Sequence, residues 1–180
     1  MESDFSENTM LTCMPYLEKE HFPFVSALFT EAFPGYSTLE LDKCLEAAEN
    51  GRIHCPILYD GNKEVGFVFM KDYGSFNFVF YFAISSLCSG HAYTRTFLTQ
   101  WFAKNSRQLI WEVERPFTAT ARHRIDYLQR CGLVLNTFDY QTLMPEMVPP
   151  GIQYYLMSRW MLTREEYRNL LEVVSTDKDF

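Results

Sequence analysis

Between Cys55 and Phe102 the chain runs through three strand-like segments and then switches its apolar period from two to 3.6 residues, a succession that limits the fold more than any other part of the sequence. The runs are Cys55 to Tyr59, Glu64 to Lys71 and Phe76 to Ile84, separated by Asp60-Gly61-Asn62 and by Asp72-Tyr73-Gly74-Ser75. Short apolar runs divided by Gly- and Asp-rich turns predict an antiparallel meander. A helical period then begins near Gly90 and carries Phe97, Leu98, Trp101 and Phe102 inward. A strand thus feeds through a short loop into a helix, and such a crossover buries one face of a sheet.

The flanking segments extend this pattern. Phe24, Val25, Leu28, Phe29, Ala32 and Phe33 form a helical stripe, with Pro23 suited to a first turn, and predict a helix over Lys19 to Phe33. Ser37 and Glu40 stand three apart as a capping box before Leu41, Cys44, Leu45 and Ala48, and Asn50-Gly51 closes that second helix. Leu109, Trp111 and Val113 alternate within a strand from Gln108 to Glu114 that Pro116 ends. A helix from Ala119 to Cys131 closed by Gly132, strands over Leu133 to Phe138 and Gln153 to Arg159, and a final helix opened by Thr163 and Glu166 and running through Val174 complete the order. The expectation is an α/β fold: one domain over residues 1–180, with a mixed, mostly antiparallel central sheet, helices on both faces, and loose tails at 1–12 and 175–180.

Composition excludes several classes of function. With 180 residues, 47% of them hydrophobic and 22% charged, the chain is large enough for a sizeable core. Its unusual excess is aromatic, with 16 Phe, 11 Tyr and 3 Trp. A formal charge of -7 and a pI near 5.1 oppose nucleic-acid binding. No run is long enough to span a membrane, and MESDFSENT lacks the basic start and apolar middle of a signal peptide, so a cytoplasmic location is expected. Five scattered cysteines without a C-x-x-C pair predict free thiols, and four solitary histidines predict no metal.

Local residues sharpen the picture. Phe82-Ala83-Ile84, Ser85-Ser86 and Leu87-Cys88-Ser89-Gly90-His91-Ala92-Tyr93 form a strand end, a Gly-containing loop and a helix start. Such a corner presents unpaired backbone N–H groups that suit a phosphate group. Downstream lie Trp111-Glu112-Val113-Glu114-Arg115-Pro116, Arg122-His123-Arg124-Ile125-Asp126-Tyr127-Leu128-Gln129-Arg130-Cys131-Gly132-Leu133, and Leu162-Thr163 after Gly151 to Arg159. Over residues 17 to 172 this order and these motifs resemble the GNAT superfamily of acyl-CoA N-acyltransferases. Three positions depart from the family pattern: Leu87 stands where the cofactor loop begins with a basic residue, Phe80 where many members carry a glutamate base, and Leu128 where the acid tyrosine falls.

The resemblance implies an acetyltransferase that uses acetyl-CoA as co-substrate and a primary amine of a small molecule or peptide as acceptor, with no metal, no nucleic acid and no membrane partner; a homodimer is left open. The implied cofactor-binding residues are Phe82, Ala83, Ile84, Ser89, Gly90, His91, Ala92, Tyr93, Arg124 and Tyr127. Backbone N–H groups freed by splaying of the strands just beyond Phe82-Ala83-Ile84 would hold the thioester carbonyl. Transfer to an amine needs a base, for which Glu114 is the candidate, and a proton donor, for which Tyr127 and Tyr140 are candidates. Glu31, Phe33, Tyr36 and Tyr155 are the expected acceptor-site residues. Against each stands a plainer role: a solvated carboxylate for Glu114, packed rings for the tyrosines, and core packing for Phe33. The departures at Leu87, Phe80 and Leu128 leave a non-catalytic acyl-CoA-binding or protein-interaction module as the alternative.

Overall fold

The structure is a computed structural model that describes residues 10–14, 17–88, 92–142 and 151–177. Its elements are β1 (Thr12–Met14), α1 (Phe22–Ala32), α2 (Thr38–Glu49), β2 (Ile57–Asp60), β3 (Lys63–Asp72), β4 (Phe76–Ile84), α3 (Tyr93–Lys104), β5 (Gln108–Glu114), α4 (Ala119–Arg130), β6 (Val134–Asn136), β7 (Tyr154–Ser158) and α5 (Arg164–Ser175). The strands form one seven-stranded sheet in the order β1-β2-β3-β4-β5-β7-β6. Every neighbouring pair is antiparallel except β4 and β5, which run parallel because α3 crosses over between them.

Each face of the sheet is covered because both sets of side chains are apolar. On one face Val68, Met70, Val79, Leu109, Trp111, Val113 and Met157 meet Phe97 and Leu98 of α3 and Ile125 and Leu128 of α4. On the other, Ile57, Phe67, Phe69, Tyr81 and Ala83 pack beneath Val25, Leu28 and Phe29 of α1 and Leu41, Cys44 and Leu45 of α2. Beside them Phe76, Phe78, Ile110 and Leu156 lie under Leu170 and Val174 of α5. Fully burying one such side chain contributes about 1.5–3 kcal/mol, so the aromatic excess is spent largely on this two-sided core.

The predicted helix boundaries hold within a few residues, and the fold class is as expected. The strand β1 was not anticipated: Leu11 is buried and Thr12 pairs with Tyr59, where a loose tail was expected. The strand after α4 is shorter than the predicted Leu133 to Phe138, because the chain leaves the sheet after Asn136 to run toward α5.

Candidate active site

The cavity at the centre of the molecule follows from a failure of pairing. The parallel ladder joins Phe76 to Gln108 and ends at Val79 opposite Trp111, although β4 continues to Ile84 and β5 to Glu114. Each strand keeps its outer partner, β3 for β4 and β7 for β5, so the two inner edges diverge. The parting begins at Val79, before Phe82-Ala83-Ile84 and not beyond it as expected from the sequence. Its cause is a bulge: Phe69 pairs with Tyr81 and Met70 with Val79, which leaves Phe80 as an extra residue. The bulge also resets the alternation, so that Phe82 and Ile84 join the α3/α4 face while Tyr81 and Ala83 face α1 and α2.

The gap between the strands opens into a cavity of about 640 Å³ whose walls come from both faces. On the α3/α4 side stand Phe82, Trp111, Thr94, Arg124, Tyr127 and Leu128. Thr94 and Thr120 place the first turns of α3 and α4 at this wall, so two helix N-termini direct their positive ends toward it. Thr118 caps α4 by accepting from the Ala121 N–H at 3.0 Å. Ala92, at the cap position of α3, has no side-chain acceptor to offer, and the first N–H groups of that helix are therefore suited to an external anion. Burial holds the pKa of Tyr127 above the usual tyrosine value.

The opposite side has another chemistry. Glu31, Phe33, Tyr36, Tyr81, Glu112, Glu114 and Tyr154 line it, so three of the cavity's carboxylates stand on this side and its guanidinium, Arg124, on the other. Phe33, Tyr36 and Tyr81 pack edge to face at 5.1–5.7 Å between ring centroids. The Tyr36 and Tyr154 hydroxyls lie 3.0 Å apart, and burial pushes the pKa of both tyrosines up. Glu31 accepts the Ser86 N–H at 3.1 Å, tying the end of α1 to the turn that follows β4. Glu112 accepts a hydrogen bond from the Tyr140 hydroxyl.

Of the residues singled out from the sequence, Glu31, Phe33, Tyr36, Phe82, Ala83, Ile84, Glu114, Arg124 and Tyr127 all line this one cavity. Tyr127 reaches it beside Leu128, although neighbouring residues on a regular helix point about 100° apart; the gap is wide enough to meet both. Ser89, Gly90 and His91 lie outside the described residues. Tyr93 turns its ring into the core and donates to Asp60, so only its backbone faces the helix start. Tyr140 is not on the cavity wall: it is 2% exposed and sits behind Glu112. Tyr155 is turned to the opposite face of β7 from Tyr154 by strand alternation, and the Arg115 guanidinium lies over its ring at 4.7 Å. The residues missed were Glu112, Thr94, Trp111 and Tyr154. For Glu112 a signal existed, since a strand that aims Glu114 at the site aims the residue two before it the same way.

No protein-family model and no curated protein matches the chain. Solved structures do. A Bacteroides thetaiotaomicron protein described as an acetyltransferase from the GNAT family superposes with a TM-score of 0.77 at 25% identity, over 92% of this chain and 99% of that one. This is the GNAT acyl-CoA N-acyltransferase fold. A Bacillus subtilis acetyltransferase in complex with CoA shares the GNAT fold at TM-score 0.58 and 13% identity, over 86% of this chain and all of the other. A spermidine N-acetyltransferase chimera from Vibrio cholerae and a human enzyme shares it at TM-score 0.60 and 18% identity, over 89% and 99% of the two chains. Among the described residues, no helix is long and apolar enough to cross a membrane, and no cluster of His, Cys, Asp and Glu could hold a metal. Cys13 is exposed, and Cys44, Cys55, Cys88 and Cys131 are buried free thiols.

Proposed function

We propose that the protein transfers an acetyl group from acetyl-CoA to a primary amine of a small molecule or peptide. The observation that carries this reading is the cavity through the parted β4/β5 pair, with helix N-termini and Arg124 on one side and carboxylates among aromatic rings on the other. Acetyl-CoA would supply an activated acyl carbon as a thioester. The residues fit it: the α3 start has no side-chain cap competing for its N–H groups, Arg124 adds a positive charge, and Phe82 and Trp111 offer apolar walls to a pantetheine arm.

The inner edge of β4 beyond Val79, released from β5, offers backbone donors to a thioester carbonyl. Tyr127, kept protonated by burial, is placed to return a proton to a departing thiolate. On the other side the carboxylates Glu112 and Glu114 attract an ammonium and offer an acceptor for its proton, and the rings of Phe33, Tyr36 and Tyr81 enclose its carbon body. The CoA-bound and spermidine-acetylating neighbours support the reading without fixing the acceptor.

Calorimetric titration with acetyl-CoA, followed by thiol release in a panel holding a monoamine, an α,ω-diamine and a peptide N-terminus, tests it. The expected result is saturable binding and turnover that requires the amine. Binding without turnover on any member would leave only an acyl-CoA-binding module, and no binding would remove the cofactor assignment as well.

A further inference from the structure

We propose that Glu112 is the general base for the acceptor amine and that Tyr140 is its positioning residue, an assignment that rests on the acetyl-transfer reading above. Glu112 follows Trp111, the last β5 residue paired with β4, so it is the first side chain on the carboxylate-bearing side beyond the point where the strands part. Glu114 lies two residues farther along, roughly 6.6 Å toward the strand end. On β4 the site is faced by Phe80, Tyr81 and Phe82, so the opposite strand brings no carboxylate.

The support behind Glu112 is more than a solvated strand carboxylate would have. Tyr140, whose own side chain is buried, donates a hydrogen bond from its hydroxyl to Glu112 Oε1 from the stretch that follows β6. That stretch is itself fixed. Arg115 Nη2 donates to the Tyr140 carbonyl at 3.3 Å, and Arg115 Nε donates to the Tyr154 carbonyl at 3.1 Å. The Tyr167 hydroxyl donates to the Asp139 carbonyl at 3.3 Å, while the Phe138 and Tyr167 rings stack at 4.2 Å. A carboxylate held this way keeps its orientation as the reaction proceeds, which is the arrangement a proton acceptor needs.

The groups that share its surroundings leave few other acceptors. Tyr36, Tyr81 and Tyr154, which face Glu112 from the turn after α1, from β4 and from β7, are held protonated by burial. Arg124, on α4, is a cation. Glu31, on α1, is engaged by the Ser86 N–H, and Glu114 remains as the outer carboxylate that draws the ammonium in. In the step itself Glu112 takes one proton from the ammonium, and the freed lone pair forms the C–N bond as the C–S bond breaks. The thiolate leaves with the bonding pair and takes a proton from Tyr127; Glu112 and the nitrogen each release one proton to solvent, and Tyr127 recovers one, so a single proton is released net.

The test is single-turnover acetylation by the full chain, across pH, with whichever primary amine of the panel the wild type accepts. Glu112→Gln should slow transfer at least about 100-fold, the scale of general-base catalysis, with the acetyl-CoA dissociation constant and circular dichroism unchanged. Tyr140→Phe should move the acid limb of the rate profile to higher pH, because a carboxylate that loses a donor binds its proton more tightly. Glu114→Gln should raise the amine KM more than it lowers the rate of transfer. A Glu112→Gln variant that keeps a third or more of the rate overturns the assignment, as does an unmoved acid limb in Tyr140→Phe, or the larger rate loss falling on Glu114→Gln. A wild type that binds acetyl-CoA and acetylates nothing fails at the parent reading instead, and the two failures are thereby told apart.

Discussion

A Cβ added to Gly66 would sit 2.5 Å from the Ala83 carbonyl oxygen and 2.6 Å from the Ile84 side chain. The first of those atoms is backbone and cannot swing away, so β3 must carry glycine where it crosses the end of β4. Gly66→Ala should therefore cost about 2 kcal/mol as overpacking does and should shift the strand end that borders the cavity. Calorimetric melting would show a lowered Tm and titration a weaker acetyl-CoA affinity; an unchanged pair of values would contradict this account. Residues of the cavity wall were legible in the sequence where a motif marked them, as with Arg124, Tyr127 and Glu114. Tyr140 was legible as a residue of interest but not in its role, because its hydrogen bond to Glu112 joins positions 28 apart that only the packing of the post-β6 stretch brings together.

At the scale of the element, α5 shows how a local signal serves the site at a distance. Its capping box is complete: the Thr163 N–H donates to Glu166 Oε2 at 2.7 Å and the Glu166 N–H to Thr163 Oγ1 at 3.2 Å. Its buried face, Leu170 and Val174, shares a cluster with Tyr140 and Tyr154. Thr163→Ala should cost about 1 kcal/mol, read as a lower urea midpoint with unchanged slope. The backbone N–H of Thr163 holds the Glu166 carboxyl below the usual glutamate range. A depressed carboxyl stabilises the fold above its unfolded pKa, about 4.3, and loses that contribution as pH falls through the lower folded value. The wild-type advantage over Glu166→Gln should accordingly vanish in acid and return at neutral pH. Capped and periodic helices such as this one were readable from spacing alone. The bulge at Phe80 was not, since in Phe76-Asn77-Phe78-Val79-Phe80-Tyr81-Phe82-Ala83-Ile84 both faces are apolar and an extra residue disturbs no visible alternation.

At the scale of the molecule, the segment that leaves α5 is fastened to the sheet by charge. Lys71 Nζ lies 2.6 Å from Asp177 Oδ2, with the two side chains only 15% and 8% exposed, and the Tyr73 hydroxyl donates to the same oxygen at 2.7 Å. Asp177→Ala strands a shielded ammonium and should cost about 3 kcal/mol, whereas replacing Asp177 and Lys71 together by Leu and Met should restore much of the loss. Equilibrium unfolding of the two variants decides the point. The overall topology was legible from the order of periods, because a meander followed by a single crossover admits few sheets. The place where the sheet opens was displaced in that reading, since the end of the parallel ladder is set by the register of β4 and β5, whose partners stand 32 positions apart, and by the bulge between β3 and β4.

That opening makes the sheet a partition with a window rather than a floor. Its walls come from both faces of the sheet, so two reactants could meet there from opposite sides. Under the acetyl transfer proposed above, such a window would let carrier and acceptor be held together, with the acyl group handed directly from one to the other.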